Sequence, residues 1–395
     1  MPGWLFAAVV SAVVAPLVVA VVVQRNLHWN PVFDLAMTEL RVRDVGGRHT
    51  PLIGLQGRIG PTGSHPGPLS FYLLAPVYRV LGSSSFALQA ATGAFHAAGA
   101  VTALWVARRR RDGRVLLGTG LVLLLLVQGY GLGPLTEPWN PHLPVLWFVA
   151  FLLSAWAVLE GDLPMLLVAV LAGSIGAQTH VPYLPVTVGI GGAVLVARGI
   201  VAWRRRGEAG PSLVRWAGLA LLLGALLWTP PLIDEVVRDP GNLSQIADHL
   251  GNPAESPIGM RAAVRLMAER LDGWQLVVGE TRNPGTYIRT LSGPGPTQAR
   301  GAWTFGVWVV CAVVAVGLRH RGLIALHGLV AVSSIIGAVS ISRIYGVPWH
   351  YLMLWGFGIG ALMLLAIVGT LLALAMRWRP RLRAGALPGA LHTLG

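Results

Sequence analysis

The sequence has no lysine, a single cysteine and few charged residues. Only 12% of its 395 residues are charged and 54% are hydrophobic, whereas about 25% of an ordinary soluble domain is charged. This composition excludes an intrinsically disordered chain and argues against a water-soluble globule. The one cysteine, Cys311, stands in an apolar run, so the chain can form neither an internal disulfide nor a cysteine metal site.

Long apolar runs recur along the whole chain instead. Because a helix needs about 20 apolar residues to cross a bilayer, they predict an all-α polytopic membrane protein. About ten transmembrane helices are predicted, over residues 4–23, 86–107, 115–133, 143–159, 163–178, 181–202, 213–233, 303–318, 323–341 and 351–376. Residues 1–376 then form one transmembrane module, and residues 377–395 a cytoplasmic basic tail.

The arginines predict the orientation of these helices. All 30 basic residues are arginine, and the net charge is +14. They cluster in alternate connections, at residues 108–114, 204–215, 319–321 and 377–383. The positive-inside rule therefore places these connections and both termini in the cytoplasm of a cell whose plasma membrane the protein spans. Arginines at these positions are expected to contact anionic lipid and not nucleic acid.

Two long loops, residues 24–85 and 234–302, are left for the outer face. Both are expected to carry interfacial helices. Residues 260–276 repeat apolar side chains at helical spacing, which predicts a helix lying in the membrane interface. The predicted apolar face consists of Val264, Met267, Leu271 and Trp274.

Five outer segments hold the polar side chains that could carry chemistry. Carboxylates can serve as general bases, and a guanidinium is suited to binding anions. The candidates, in chain order, are Asp34, Glu39, His65, Glu137, Trp139, Asn140, His180, Arg343 and Tyr345.

Each candidate also has a structural interpretation. Asp34 could cap a helix that begins beside it, and Glu39 could form a solvated pair with a neighbouring arginine. Glu137 stands between two prolines, a rigid setting that favours a site. His65 is expected at the membrane surface, and Arg343 could be a membrane anchor. The sequence contains no P-loop, dinucleotide fingerprint, Ser-His-Asp signature or HExxH motif.

Taken in order, these segments resemble the GT-C superfamily of membrane glycosyltransferases, which includes protein O-mannosyltransferases, lipid A aminoarabinose transferases and cell-wall arabinofuranosyltransferases. The resemblance covers roughly residues 1–200 and 340–376. The matching features are an acid after the first span (Phe33-Asp34), a His-Pro-Gly-Pro-Leu segment from His65, a second acid (Glu137), a Thr-His pair where relatives often have Thr-Lys (Thr179-His180), and an Arg-x-Tyr-x-x-Pro segment (Arg343, Tyr345, Pro348).

The resemblance implies GT-C architecture and an activity. A sugar would move from a polyprenyl-phosphate donor to an extracytoplasmic glycan, glycolipid or protein, with inversion. It implies Asp34 as the catalytic base, with Glu137 assisting. Donor phosphate would be bound by Arg343, His180 and Tyr345, and the acceptor side would be formed or supported by His65, Asn140, Trp139 and Glu39. Some relatives need a divalent metal ion (Mg, Mn or Ca), whose candidate ligands here are Asp34, Glu137 and His65.

Two other functions compete with the enzyme. A transporter or flippase for a lipid-linked or amphipathic solute would use outer arginines to hold phosphate but needs no base, so Asp34 should then be replaceable by Asn. However, no charged residue stands out in the middle of a predicted span, which argues against transport. A non-catalytic subunit of an envelope-assembly complex would leave all five outer segments individually dispensable.

Overall fold

The structure, a computed structural model, describes residues 2–26, 29–57, 63–204, 210–279 and 296–378. These residues form sixteen α-helices and one short 3-10 helix. The long helices are α1 (Gly3–Gln24), α4 (Ser85–Arg109), α5 (Gly113–Tyr130), α9 (Tyr183–Arg204), α10 (Gly210–Val237), α14 (Pro296–Gly317), α15 (Arg321–Ser342) and α16 (Trp355–Trp378). The shorter helices are α2 (Phe33–Asp44), α3 (Leu69–Val80), α6 (Leu132–Thr136), α7 (Val145–Leu159), α8 (Met165–Thr179), α11 (Asn242–Gly251), α12 (Gly259–Leu271), α13 (Trp274–Val278) and the 3-10 helix (His350–Met353).

The predicted all-α class is confirmed for the described residues, and the long apolar helices are consistent with a polytopic membrane protein. Eight of these helices are long and apolar enough to cross a membrane. The predicted spans 143–159 and 163–178 form α7 and α8, which have 15 residues each. Such a helix is about 22 Å long, shorter than a hydrocarbon core of about 30 Å. That α7 and α8 also cross the bilayer remains a prediction.

Helix α7 lies at the centre of the bundle. It is apolar on all sides, and every residue from Val145 to Val158 is buried. A helix with no polar face is stable only when protein or lipid surrounds it completely. Here α4, α8, α9, α15 and α16 pack around it. The indole N–H of Trp147 donates to the carbonyl of Phe95 in α4 at 3.1 Å.

The arginine-bearing connections meet at one end of the bundle, called here the arginine end. Arg109 forms an ion pair with Asp162 at 2.7 Å, and Arg110 forms one with Glu160. The indole N–H of Trp156 donates to the carbonyl of Gly322 at 3.0 Å. These contacts join the end of α4, the turn that follows α7 and the start of α15. The other arginines predicted at this end include some in 205–209 and 379–395, which lie outside the described residues.

The two long loops meet at the opposite end, called here the site end. The backbone N–H of Ser64 donates to Oδ1 of Asn242 at 2.9 Å, which joins residues 24–85 to residues 234–302. Gln24 at the end of α1 donates to the hydroxyl of Thr136 at 3.2 Å. The arginine end and the site end therefore separate the connections as the sequence predicts, while the membrane face of each end remains a prediction.

The predicted interfacial helix over residues 260–276 is interrupted, and its predicted apolar face is divided between the protein interior and the surface. Helix α12 ends at Leu271 and α13 begins at Trp274. Met267 and Leu271 are buried, but Val264 and Trp274 are each 55% exposed. The buried side instead includes Ala263, Leu266 and Arg270.

Neighbouring helices explain why this side of α12 is buried. The helix packs against α14, α15 and α16. Gly301 of α14 leaves no room for a Cβ atom beside the carbonyl of Ala268. Hydropathy cannot distinguish contact with lipid from contact with another helix, because both remove apolar surface from water.

The two-ended arrangement predicts which loops an impermeant thiol reagent can reach. In a Cys311→Ala background, His49→Cys should be labelled in intact cells, because residues 24–85 are predicted outside. Gly207→Cys, between α9 and α10, should be labelled only after the membrane is permeabilised. Cys311 itself is 4% exposed and lies within a helix. Alanine is small and favours helices, so the Cys311→Ala replacement should preserve the fold. Labelling of Gly207→Cys alone in intact cells would reverse the orientation.

Candidate active site

Asp34 is presented at the start of a short helix. It is exposed in the first turn of α2, and the preceding Phe33 has a φ of 48°, a strained conformation for a residue with a side chain. The N-cap position belongs to Val32, so the interpretation of Asp34 as the helix cap is wrong. Its Oδ2 accepts a hydrogen bond from the indole N–H of Trp139 at 3.0 Å. In the described part of the chain no donor contacts Oδ1, so Asp34 is oriented with one oxygen open.

Trp139 connects Asp34 to a cluster of rings. The Trp139 ring lies 5.0 Å from that of Tyr351 and 4.9 Å from that of His142. Tyr351 in turn lies 6.2 Å from His180. Sequence segments that are far apart in the chain thus form one contiguous group at the site end.

His65 and His180 form a buried pair. Their ring centroids are 5.1 Å apart, and the side chains are 7% and 2% exposed. Nδ1 of His65 accepts the backbone N–H of Val181 at 3.1 Å. The expectation that His65 lies at the membrane surface is therefore wrong.

Asn242 explains the burial of His65. This side chain is 2% exposed; it accepts from the N–H of Ser64 and donates to the Ser64 carbonyl at 3.2 Å. Its own backbone N–H donates to Asp234 at 3.1 Å. Residues more than 170 positions away in sequence thus cover the His65 turn, and no local pattern indicates such a contact.

Burial sets the charge of both histidines. It lowers the pKa of His65 from 6.5 to about 4, and it lowers the pKa of His180 well below 6.5, with His65 and His142 adding to the effect. Both rings are therefore neutral at pH 7. A neutral His180 can donate a hydrogen bond to a phosphate but supplies no charge to it. Its Nδ1 is buried, and the described residues provide no hydrogen-bond partner for it.

Glu137 is a second open carboxylate. It is half-buried, and burial raises its pKa above the ordinary value. This change brings the pKa of the carboxyl group closer to neutral pH, which favours proton exchange. Within the described ranges, its carboxylate has neither a hydrogen bond nor an ion pair. Asn140, in the same turn, is 7% exposed.

Glu39 has a structural role. Its carboxylate accepts from Arg43 at 2.6 Å, from the Tyr78 hydroxyl at 2.9 Å and from the Ser85 hydroxyl at 3.0 Å. The predicted pairing with an arginine is correct, but the pair is not solvated on the Glu39 side, which is 5% exposed. The start of α4 covers it. With three donors already bound, Glu39 supports the site and has little capacity for an acceptor.

Arg343 and Tyr345 form a separate pair at the end of α15. The exposed guanidinium donates to the Tyr345 hydroxyl at 3.0 Å and lies 5.7 Å over its ring. That hydroxyl donates to the Leu250 carbonyl at 3.1 Å. Across the described residues, Arg343 has no acidic partner, so its charge is available to an anion.

The three predicted metal ligands are not assembled into a metal site. Over the residues that the structure describes, no three His, Cys, Asp or Glu side chains are placed to hold one ion. Asp34 is directed toward Trp139, and His65 toward Val181 and His180. These residues therefore do not fit a resident divalent metal ion.

Two residues that the sequence does not mark as candidates are central in the structure. Tyr351 joins Trp139 to His180, and Asn242 holds the His65 turn. Tyr351 stood in one of the five polar segments, and its interfacial position was the one available signal. Asn242 is a single amide in a long loop and carries no signal of its own.

Comparison of the chain with protein-family models, with curated proteins and with solved structures gives no match. The resemblance to the GT-C superfamily therefore depends on the residues of the five outer segments and on their order.

The buried His65 predicts acid sensitivity. Between pH 6.5 and about 4, the unfolded chain binds a proton that the folded imidazole rejects, so stability falls as pH decreases through this window. The loss approaches about 3 kcal/mol for this residue, at about 1.4 kcal/mol per pKa unit. In detergent, His65→Asn should flatten the dependence of Tm on pH between 7 and 4.5.

His49 provides the control, since it is exposed in the same loop. His49→Asn should leave the slope of Tm against pH as in the wild type. Parallel curves for His65→Asn and the wild type would show that the ring is accessible to protons in the folded state.

Proposed function

We propose that the protein is an integral membrane glycosyltransferase of GT-C architecture that transfers a sugar from a polyprenyl-phosphate donor to an extracytoplasmic glycan, glycolipid or protein. The observation that carries the proposal is the Asp34 carboxylate, exposed on a helix start, oriented by Trp139 and open at one oxygen. The site end would face outward across the plasma membrane, with both termini in the cytoplasm.

The reaction needs a base for the acceptor hydroxyl and positively charged or hydrogen-bonding groups for the leaving phosphate. Asp34 takes the proton of the acceptor hydroxyl as the hydroxyl oxygen forms a bond to the anomeric carbon. The bond between that carbon and the phosphate oxygen breaks, and polyprenyl phosphate leaves with the electron pair. Attack opposite to the leaving group inverts the anomeric configuration.

The leaving phosphate gains negative charge and needs hydrogen-bond donors or cations. Arg343 supplies the permanent charge, and its contact with Tyr345 holds the guanidinium in place. His180 can contribute a neutral N–H donor. Glu137, with a raised pKa, can assist Asp34 in moving the acceptor proton.

One observation favours the transporter as a second candidate. Four residues that are close in sequence each have a buried polar atom with no hydrogen-bond partner within the described part of the structure. They are Gln178, Thr179, His180 and Tyr183. Polar groups inside a helical bundle can mark a solute path. A transporter that holds phosphate through its outer arginines, however, needs no base at Asp34.

The Asp34→Asn substitution separates the two functions. The amide can still accept from Trp139 but cannot take a proton, so folding and donor binding should persist while turnover falls roughly a hundredfold or more, the usual contribution of a positioned base. Turnover is measured as the release of polyprenyl phosphate from a panel of lipid-linked sugars by the purified protein in detergent.

Asp44→Asn is the matched control, because Asp44 ends the same helix that Asp34 begins. It should retain full turnover. If Asp34→Asn also retained full turnover, the base assignment would fail and Glu137 would become the better candidate for the base. A wild type that released no polyprenyl phosphate from any lipid-linked sugar would favour the transporter.

Arg343→Lys tests donor binding. Lysine keeps the charge but loses the planar pair of donors that contacts phosphate at two points. The variant should bind polyprenyl phosphate about tenfold more weakly, with unchanged Tm, since a lost charge-assisted contact of about 1.4 kcal/mol changes binding by that factor. The exposed Arg48 gives the control variant Arg48→Lys. Equal binding by both variants would indicate that Arg343 is a membrane anchor and not a phosphate ligand.

A further inference from the structure

Four consecutive arginines, Arg108 to Arg111, extend from the last turn of α4 into the connection that follows it. The middle two are paired with acids. Arg109 donates to both oxygens of Asp162, at 2.7 and 2.8 Å. Arg110 forms an ion pair with Glu160 and lies 4.4 Å over the ring of Trp156. These contacts connect α4 to the turn after α7.

The outer two arginines are different. Arg108 and Arg111 are exposed, and in the described ranges neither has an acidic partner. Arg108 lies in the last turn of α4 and Arg111 just beyond the end of the helix, where its backbone N–H donates to the Arg108 carbonyl at 3.0 Å. Like charges this close along the chain repel each other. Arg111 also has a φ of 54°, which strains any residue with a Cβ atom. Arg108 and Arg111 are thus two unneutralised charges close together in the chain, and the backbone is strained at Arg111.

These side chains line a cavity. Its volume is about 460 Å³, and its lining consists of Trp105, Arg108, Arg109 and Arg111. The size lies within the range of small-molecule sites, roughly 300 to 1,000 Å³. The helix dipole and the positive-inside rule account for arginines at the end of α4, but neither accounts for a cavity shared by Arg108 and the strained Arg111.

We propose that this cavity binds a phosphate group, supplied by the headgroup of an anionic lipid. A phosphate between Arg108 and Arg111 would relieve their repulsion. Each guanidinium group can donate two parallel hydrogen bonds to phosphate oxygens.

Aromatic rings identify the bilayer as the source of the phosphate. Trp105 is 39% exposed beside the cavity, and Arg108 lies 4.7 Å over the ring of Phe6 from α1. Tryptophan is enriched where helices leave the hydrocarbon core, and basic pockets at this level suit lipid headgroups. The site lies at the opposite end of α4 from the candidate active site.

The test measures binding of dioctanoyl phosphatidylglycerol to the purified full-length protein in neutral detergent, by native mass spectrometry and by the rise in Tm. The wild type should bind it saturably, and Arg108→Gln/Arg111→Gln should bind it at least tenfold more weakly. Arg215→Gln is the matched control, because Arg215 is an exposed arginine near a tryptophan, 5.6 Å from the Trp216 ring, and does not line the cavity. It should bind as the wild type does.

Arg111→Gly keeps the test decisive if the double variant folds poorly. Glycine tolerates a positive φ, so this variant should be at least as stable as the wild type while binding the lipid more weakly. Unchanged lipid binding by Arg111→Gly would overturn the proposal. Inorganic phosphate and dioctanoyl phosphatidylcholine serve as the other two probes, and neither should raise Tm at the same concentration. An equal effect of inorganic phosphate would overturn the lipid as the source.

Discussion

The complete burial of α7 is the constraint on which the rest of the arrangement depends. Because other helices surround it, α7 is stable with 15 residues, and its length need not match the bilayer. The connection before it can therefore fold into the bundle, so that Thr136, Asn140 and His142 are buried. That recessed turn carries Trp139 to the position where Asp34 and Tyr351 meet it. The candidate site is thus a consequence of a short central helix.

The same recess determines which groups can be charged. Charged forms are disfavoured where water is excluded, which keeps His65 and His180 neutral and raises the pKa of Glu137. Asp34 and Arg343 lie outside the recess, where both are exposed. An acidic and a basic side chain are therefore exposed, outside a largely neutral interior. This division suits a reaction in which one group accepts a proton and another receives a leaving phosphate.

The helical class and the two ends of the bundle could be predicted from the sequence because both depend on local properties. Apolar run length indicates a spanning helix, and arginine clusters indicate a common side, as the contacts of Arg109 and Arg110 confirm for the arginine end. The environment of individual side chains could not be predicted. His65 is buried by Asn242, and Glu39 by Tyr78 and Ser85. These contacts join distant parts of the chain, and a single sequence contains no signal for them.

The predicted apolar face over residues 260–276 is divided between two environments for a related reason, and it shows where hydropathy stops being informative. Val264 and Trp274 are apolar but exposed, whereas Arg270 is 3% exposed. In a membrane protein an exposed apolar side chain can face lipid without cost, so apolar character no longer marks the protein interior. A buried arginine is stable only with nearby partners, and Arg270 has Glu269 at 3.9 Å and the Phe357 ring at 5.3 Å. Polar residues are therefore the better guide to the interior of this chain, because burying a polar group without a specific contact is costly there.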